Sequence, residues 1–257
     1  MGNNKYVDIA VKAALAGGKV LMKYFNTGLA VEYKGRIDPV TAADKTSQKV
    51  ITAILKKEFP GHSVIGEEDV EKKACSEYCW VIDPLDGTVN YIHDIPFFCV
   101  SIALIVKGKT AAGAIYAPRL NELFTARRGA GAFLNGKRIA VSPNDRIVRS
   151  LVVTGFPYDI RAERRRVMES LSKVLSNAQG VRRLGSAAMD LAYVASGRFD
   201  AFWEKGLKAW DVAAGALIVQ EAGGKVTEFD GGKNYIFGNT ILASNGKIHS
   251  KMINMIK

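Results

Sequence analysis

Trp80-Val81-Ile82-Asp83-Pro84-Leu85-Asp86-Gly87-Thr88-Val89-Asn90 is the stretch around which the chain is organised. An apolar run that reads as a buried strand ends abruptly in two carboxylates, a glycine and a threonine. Two carboxylates three residues apart cannot both alternate out to solvent from a strand. Pro84 removes a backbone donor and is expected to stop the strand, so that the chain turns there. The turn would bring Asp83, the Leu85 carbonyl and Asp86 toward one point, an oxygen-rich pocket of the kind Mg²⁺ prefers. Gly87 permits close backbone approach, and a helix starting at Thr88 would aim free N–H groups at an anion. A metal and a phosphate would meet at such a corner. Taken alone, the stretch fits an ordinary Asp-rich turn as well.

The 257 residues are enough to bury a sizeable core, and nearly half of them are hydrophobic. No apolar run reaches the ~20 residues a membrane span needs, and Met1 to Asp8 holds no apolar signal core, so a cytoplasmic protein without membrane contact is expected. Cys75, Cys79 and Cys99 lack redox or zinc spacing and are expected to be reduced and non-catalytic. His62, His93 and His249 are too scattered for a metal cluster, and His93 reads as structural. The formal charge of +11 lies largely in Lys56-Lys57, Arg127-Arg128, Arg161 to Arg166 and Arg182-Arg183. That balance suits an anionic substrate; a nucleic-acid interface is the less favoured reading, beside a merely solvated basic surface.

Val7, Val11, Ala14, Leu15, Leu21, Met22 and Phe25 recur at helical spacing and predict a long first helix ended by Asn26-Thr27-Gly28. A second helix follows Asp44, with Val50, Ile51, Ile54 and Leu55 inward, and Pro60-Gly61 stops it. Ser63 to Ile65, the opening run, Phe97 to Val106, Ala111 to Ala117 and Glu122 to Ala126 read as strands. Asn135-Gly136 closes a hairpin between Ala132-Phe133-Leu134 and Arg138-Ile139-Ala140-Val141. Residues 1–145 thus form two helices beside a mostly antiparallel sheet. Over 146–257 strands and helices alternate, as in a smaller α/β layer: strand Leu151 to Thr154, helix Arg161 to Ala178 with Val167, Leu171, Val174 and Leu175 inward, helix Ser186 to Ser196, strand Phe199 to Trp203 and helix Asp211 to Ala222. No linker divides the halves, which are expected to pack as one unit.

Three acidic stations stand where regular elements stop: Glu67-Glu68, Asp83 with Asp86, and Asp211. Separately, the first fits a solvated loop and the last a helix cap. Converging, they would hold two divalent cations ~3.5–4 Å apart, the arrangement for displacement at phosphorus. Helix starts near Thr88 and Ser186 would add N–H groups for phosphate. Other routes fail on the letters. There is no Asp-x-Asp-x-Thr or Cys-x₅-Arg loop. Gly108-Lys109-Thr110 has Ala103 where a P-loop needs its first glycine, and Gly129-Ala130-Gly131 has Leu134 at the third position of a dinucleotide fingerprint.

Asp38-Pro-Val-Thr-Ala-Ala-Asp44, Gly66-Glu67-Glu68, Asp83-Pro-Leu-Asp-Gly-Thr-Val-Asn90 and Trp210-Asp211-Val-Ala-Ala-Gly215 together resemble, in order and over nearly the whole chain, the motif set of the inositol monophosphatase family, whose superfamily includes fructose-1,6-bisphosphatases. The resemblance implies an αβαβα sandwich and Mg²⁺ as cofactor. One ion would be held by Glu67, Asp83 and the Leu85 carbonyl, a second by Asp83, Asp86 and Asp211, and Glu67 would help hold a third. Glu67 and Thr88 would flank the attacking water, with Asp44 polarising the Thr88 hydroxyl. Gly87 and Thr88 N–H groups would grip phosphate, while Gly185, Ser186, Ala187 and Glu204 match positions that contact inositol hydroxyls. Lithium inhibition and a homodimer are also implied. Tyr33-Lys34-Gly35-Arg36 does not align without a gap, so Lys34 and Arg36 receive no role.

The expected activity is hydrolysis of inositol monophosphates, with a sugar bisphosphate as the rival small-molecule substrate. Glu204 favours the first, because a carboxylate suits hydroxyls and repels a second phosphate; Arg161 to Arg166 or Arg182-Arg183 would serve the rival. An RNA-associated regulatory protein on the same fold is the alternative of another class. The intact acidic set argues against it, since clustered carboxylates are destabilising unless a cation binds.

Overall fold

The computed structural model describes residues 2–28, 30–33, 39–69, 76–157, 160–161 and 163–257, so Lys34 to Asp38 and Cys75 lie outside the described residues. The chain opens with helices α1 (Gly2–Tyr24) and α2 (Ala42–Glu58), separated by a short antiparallel ribbon of β1 (Val31–Tyr33) and β2 (Pro39–Thr41). Seven strands then form one sheet in sequence order: β3 (Ser63–Gly66), β4 (Tyr78–Asp86), β5 (Cys99–Val106), β6 (Lys109–Ala117), β7 (Glu122–Arg127), β8 (Gly131–Leu134) and β9 (Lys137–Ile139). Only the β3–β4 pair is parallel, and the short helix α3 (Thr88–Ile92) follows β4. The second part holds β10 (Leu151–Thr154), α4 (Arg164–Leu175), β11 (Gly180–Arg182), α5 (Ala187–Ala195), β12 (Ala201–Lys205), α6 (Ala209–Glu221), β13 (Lys225–Thr227), β14 (Thr240–Ser244) and α7 (His249–Ile256). Its sheet runs β11-β10-β12-β14-β13, parallel across the first three strands and antiparallel beyond.

Three apolar clusters stack these elements into five layers. Trp80, Ile82, Ile102 and Leu104 on one face of the first sheet pack under Ala10, Ala13, Leu21, Ile51 and Leu55 of α1 and α2. Val81, Ala103, Ile115 and Phe124 on its other face meet α5 and α6, which also touch Val153, Phe202 and Ala243 of the second sheet. The far face of that sheet, with Val152, Trp203 and Leu242, is covered by Val174 of α4 and by Met252 and Ile256 of α7. The order is αβαβα. Alternate residues of β4 feed opposite clusters, so the strand reads as one continuous apolar run because both its faces are dry. Each of its large buried side chains stabilises the fold by roughly 1.5–3 kcal/mol.

Pro84 does not end the strand. β4 continues to Asp86. Its parallel neighbour β3 stops opposite Ile82, so on that side the missing N–H of Pro84 has no ladder to break. On the other side the pairing steps from Asp83–Ser101 to Asp86–Cys99, which sets Pro84 and Leu85 against Val100 alone, a bulge that absorbs the proline. The buried stripe of α1 also differs from the large-residue pattern. Ala14 and Leu21 are buried as expected, but Leu15 is exposed and Ala10 and Ala13, outside the expected stripe, are fully buried, because small residues let α1 lie close on its neighbours. α4 is shorter than expected; only its Val174 is buried and Leu175 is exposed, as suits an outer layer. Among the cysteines, Cys99 is a free buried thiol, whereas Cys79 is disulfide-bonded and so departs from the expected reduced set. No helix among the described residues is long and apolar enough to cross a membrane.

Helix α6 is apolar on all sides because sheets cover it from both directions. A Cβ at its Gly215 would lie 2.5 Å from the Leu191 side chain of α5. We expect Gly215→Val to force the two helices apart and to destabilise by about 1–3 kcal/mol in urea unfolding.

Candidate active site

The bulge at the end of β4 is what turns Asp83, Leu85 and Asp86 toward a common space. The chain then makes its true turn at Gly87, whose φ of 94° is left-handed and whose absent Cβ would lie 3.0 Å from the Phe97 carbonyl oxygen. Only glycine fits without strain there. α3 starts immediately after, so its first N–H groups have no intrahelical partners. Two side chains lock the corner from outside: Ser47 of α2 donates to the Pro84 carbonyl at 3.0 Å, and Asn90 of α3 donates to Phe97 and Leu184 carbonyls at 2.7 and 2.8 Å.

A cavity of about 450 Å³ opens at this corner, and Glu67, Asp83, Asp86, Thr88, Glu204 and Asp211 line it. All three acidic stations therefore meet. Glu67 arrives at the end of β3, whose loop is held by Gln48: its amide donates to Asp69 at 3.0 Å and its carbonyl oxygen accepts from the Glu68 N–H. Asp69 in turn accepts from the Gly66 N–H at 3.0 Å. Asp211 is the third residue of α6 and accepts from the Lys208 N–H at 2.6 Å, which fixes the side chain at the helix start. Ser101 of β5 donates to the Trp210 carbonyl at 3.1 Å and ties that start to the first sheet.

Each aspartate has one oxygen anchored. Asp83 Oδ1 accepts from the Leu85 N–H at 2.9 Å, and Asp86 Oδ2 accepts from Ser186 Oγ and the Ala188 N–H, both at 2.7 Å. The N–H groups at the start of α5 are thus spent on Asp86, which corrects the expectation that they face a phosphate. Burial first, and then Glu67, Asp86 and Asp211, push the Asp83 carboxyl well above the ordinary range. Burial and Asp86 do the same to Asp211. Burial raises Asp86 too, against the pull of Ser186 and the α5 N–H groups. Among the described residues no three of these groups close into a ready-made cation cluster; they stand around the cavity instead. Anchored, desolvated, oxygen-only donors that repel one another call for protons or a hard divalent cation, and the residues fit such an ion.

Thr88 is buried, and its hydroxyl donates to the Leu85 carbonyl at 3.0 Å and lies 3.4 Å from Asp44 Oδ1. Asp44 is bound more closely to Thr41, whose N–H and hydroxyl reach its Oδ2 at 2.8 and 2.6 Å in the cap of α2. Asp44 therefore touches Thr88 from behind rather than facing the cavity. Gly185, Ser186 and Ala187 line the cavity opposite the acidic corner, and Ser186 turns its hydroxyl to Asp86. Glu204 of β12 closes the far side; burial and then Asp86 push it up to about 8, against the pull of Arg183. His93 is exposed at the end of α3, away from these groups. Sequence reasoning assigned no role to Gln48, Asp69, Asn90, Ser101 and Asp190. For Ser101 in β5 and Asp190 in α5 the polar interruption of an apolar element was the signal present; Gln48 and Asp69 carried none.

The sequence matches the model of the inositol monophosphatase family over residues 3–257. The chain belongs to that family. It is 41% identical over 260 residues to an inositol-1-monophosphatase of Mesorhizobium japonicum, covering 100% of this chain and 98% of that one. It is 44% identical over 250 residues to the Nus factor SuhB of Escherichia coli K12, covering 96% and 94%. The crystal structure of the extragenic suppressor protein suhB from Bartonella henselae superimposes with a TM-score of 0.94 at 41% identity, over 98% of both chains. The family's layered fold and its phosphate-ester chemistry are consistent with a cavity in which carboxylates face the first N–H groups of a helix.

Carboxyls held above their ordinary range bind protons more tightly folded than unfolded, so without cations the fold loses stability as pH climbs toward those raised values. His249, lowered to about 4 by burial between Ser244 and Thr227, acts in the opposite sense, but its contribution is complete once the unfolded histidine is neutral, above roughly pH 7. With a chelator present, the melting temperature is expected to fall between about pH 7 and pH 8.5, where Glu204 at about 8 ionises; the raised Asp83 and Asp211 act in the same direction, and a saturating divalent cation should lessen the loss. A melting temperature that rises over that interval in chelator would contradict this electrostatic account.

Proposed function

We propose that the protein is a Mg²⁺-dependent phosphomonoesterase that hydrolyses inositol monophosphates to inositol and phosphate. The observation that carries the reading is the meeting of Glu67, Asp83, Asp86 and Asp211, from three distant parts of the chain, in one cavity against the start of α3. Those four carboxylates and the Leu85 carbonyl would hold Mg²⁺, Asp83 standing between the two sets of donors. Bound there, the ions supply Lewis acidity and neutralise phosphoryl oxygens. Hydrolysis forms one P–O bond from water and breaks the ester P–O bond, and the released alkoxide must gain a proton. With its hydrogen directed to Leu85 or Asp44, the Thr88 oxygen accepts a hydrogen from the attacking water and orients it beside Glu67. The Gly87 and Thr88 N–H groups face the phosphate, and Glu204 with Gly185, Ser186 and Ala187 borders the alcohol.

A sugar bisphosphate is the rival substrate, and it takes its support from Arg183, the member of the Arg182-Arg183 pair that lines the cavity. Arg164 to Arg166 do not line it. A regulatory protein acting through RNA or protein contacts takes its support from the relatives named Nus factor SuhB. Against that class stands the cost of keeping repelling carboxylates buried with no chemistry to serve. The homodimer and lithium inhibition rest on the family resemblance and remain part of this reading.

Asp83→Asn should lower turnover of inositol 1-phosphate by more than about 100-fold, since even residues that only support a ligand commonly contribute 10–100-fold. Mg²⁺ at about 100 times its dissociation constant should stabilise the wild type by about 2.7 kcal/mol, several degrees in melting temperature, and the variant by much less. Unchanged turnover in Asp83→Asn would remove the metal-centred proposal. A preference of the wild type for fructose 1,6-bisphosphate at matched Mg²⁺ would replace the substrate.

A further inference from the structure

If the acidic corner faces the phosphate, as the proposed function requires, the alcohol must lie toward β12 and the loop joining β11 to α5. Two groups on that side have no partner. Asp190 of α5 lines the cavity with 1% of its surface exposed, and its Oδ1 makes no hydrogen bond. Arg183 lines the same cavity from the loop, is exposed, and has no hydrogen-bond or ion-pair partner among the described residues. The guanidinium is close enough to pull on the carboxyls of both Asp190 and Glu204, so the three groups share one wall. Lys205, also in the lining, is already taken by Glu163 at 2.8 Å.

We propose that Asp190 and Arg183 are specificity-determining residues that, with Glu204, read adjacent hydroxyls of the substrate's alcohol. A hydroxyl both donates and accepts, so a guanidinium donor beside two carboxyl acceptors matches a vicinal diol group for group. A second phosphate offers acceptors alone and would leave the carbonyl oxygens of both carboxyls without a donor, whichever their protonation state. A plain alkyl chain would leave all three side chains unpaired in a partly dry wall, which is where discrimination between substrates becomes large. The ligand class is therefore a polyol monophosphate with neighbouring free hydroxyls.

The test compares kcat/KM of the Mg²⁺-loaded full chain on glycerol 1-phosphate and on propyl phosphate, which differ only in the two hydroxyls. The wild type should prefer the diol ester by at least about 100-fold, and Arg183→Gln and Asp190→Asn should each cut that ratio by at least about 10-fold, chiefly through KM on the diol ester. Arg183 is exposed, so its variant keeps the question answerable if Asp190→Asn folds poorly. Ratios that stay at the wild-type value, or a fall of both esters in proportion, would overturn the proposal. Because the ratio does not involve inositol, it stands or falls separately from the choice of inositol monophosphate. If the wild type hydrolyses neither these esters nor inositol 1-phosphate, the phosphatase reading has failed. The melting-temperature shift given by free myo-inositol then decides the wall alone: a shift lost in Arg183→Gln supports it, and no shift in the wild type overturns it.

Discussion

Mutual repulsion among buried carboxylates at the end of β4 is the constraint on which the surrounding structure depends. Asp83 is buried, Asp86, Asp211 and Glu67 stand half-buried around the same cavity, and ionised forms there raise one another's energy. The fold answers with fixed donors. The Leu85 N–H is set against Asp83, the start of α5 and Ser186 against Asp86, and the Lys208 N–H against Asp211. Each donor holds one oxygen and leaves the other to the cavity. The Cys99 thiol, pushed up by burial and by Asp86 and Asp83, stays protonated and joins this set as a weak donor toward Asp86. The result is a site that is orientated before any cation arrives.

The layer of α5 and α6 explains why groups so far apart in sequence can meet. Both helices are buried between sheets, so their positions are dictated by packing on both sides. The N-terminus of α5 is carried onto Asp86 and that of α6 brings Asp211 to the same cavity, while Ser101 and Asn90 fasten the two approaches to the first sheet. A shift of either helix would move a carboxylate and its anchoring donor together. Stability of this middle layer and the geometry of the site are thus one property.

Most strands, the hairpin at Asn135-Gly136 and the helical order were legible in the sequence, because period-two and helical spacing survive wherever one face is buried. Pro84 was misleading, since a proline reads as a strand stop unless the neighbouring strand's end and the bulge are known. Those are facts about β3 and β5, and not about the residues around Pro84. The stripe of α1 was displaced for a related reason: spacing finds large apolar residues, while close helix packing selected alanines and glycines. The acidic stations were legible because each carboxylate interrupts an apolar element. Gln48 and Asp69 were not, as a polar residue on a helix gives no sign that it grips a loop twenty positions away, and Asp69 is one acid among three in that loop.

The same distinction separates the chemistry from the alcohol. The groups proposed to act on phosphate are concentrated in one eight-residue corner and two partners, so a local pattern announces them. Of the groups proposed to border the alcohol, Glu204 of β12 was named by the family resemblance, whereas Arg183 and Asp190 come singly from the loop before α5 and from α5, with no motif between them. Each of those two looks, in sequence, like a surface arginine or a helix-start aspartate. Only their convergence on one wall, with a buried carboxyl oxygen left unpaired, gives them a common meaning. Neither Arg183 nor Asp190 donates to Asp83, Asp86 or Asp211, so a change at one of them alters the wall while the donors that fix the acidic corner stay in place.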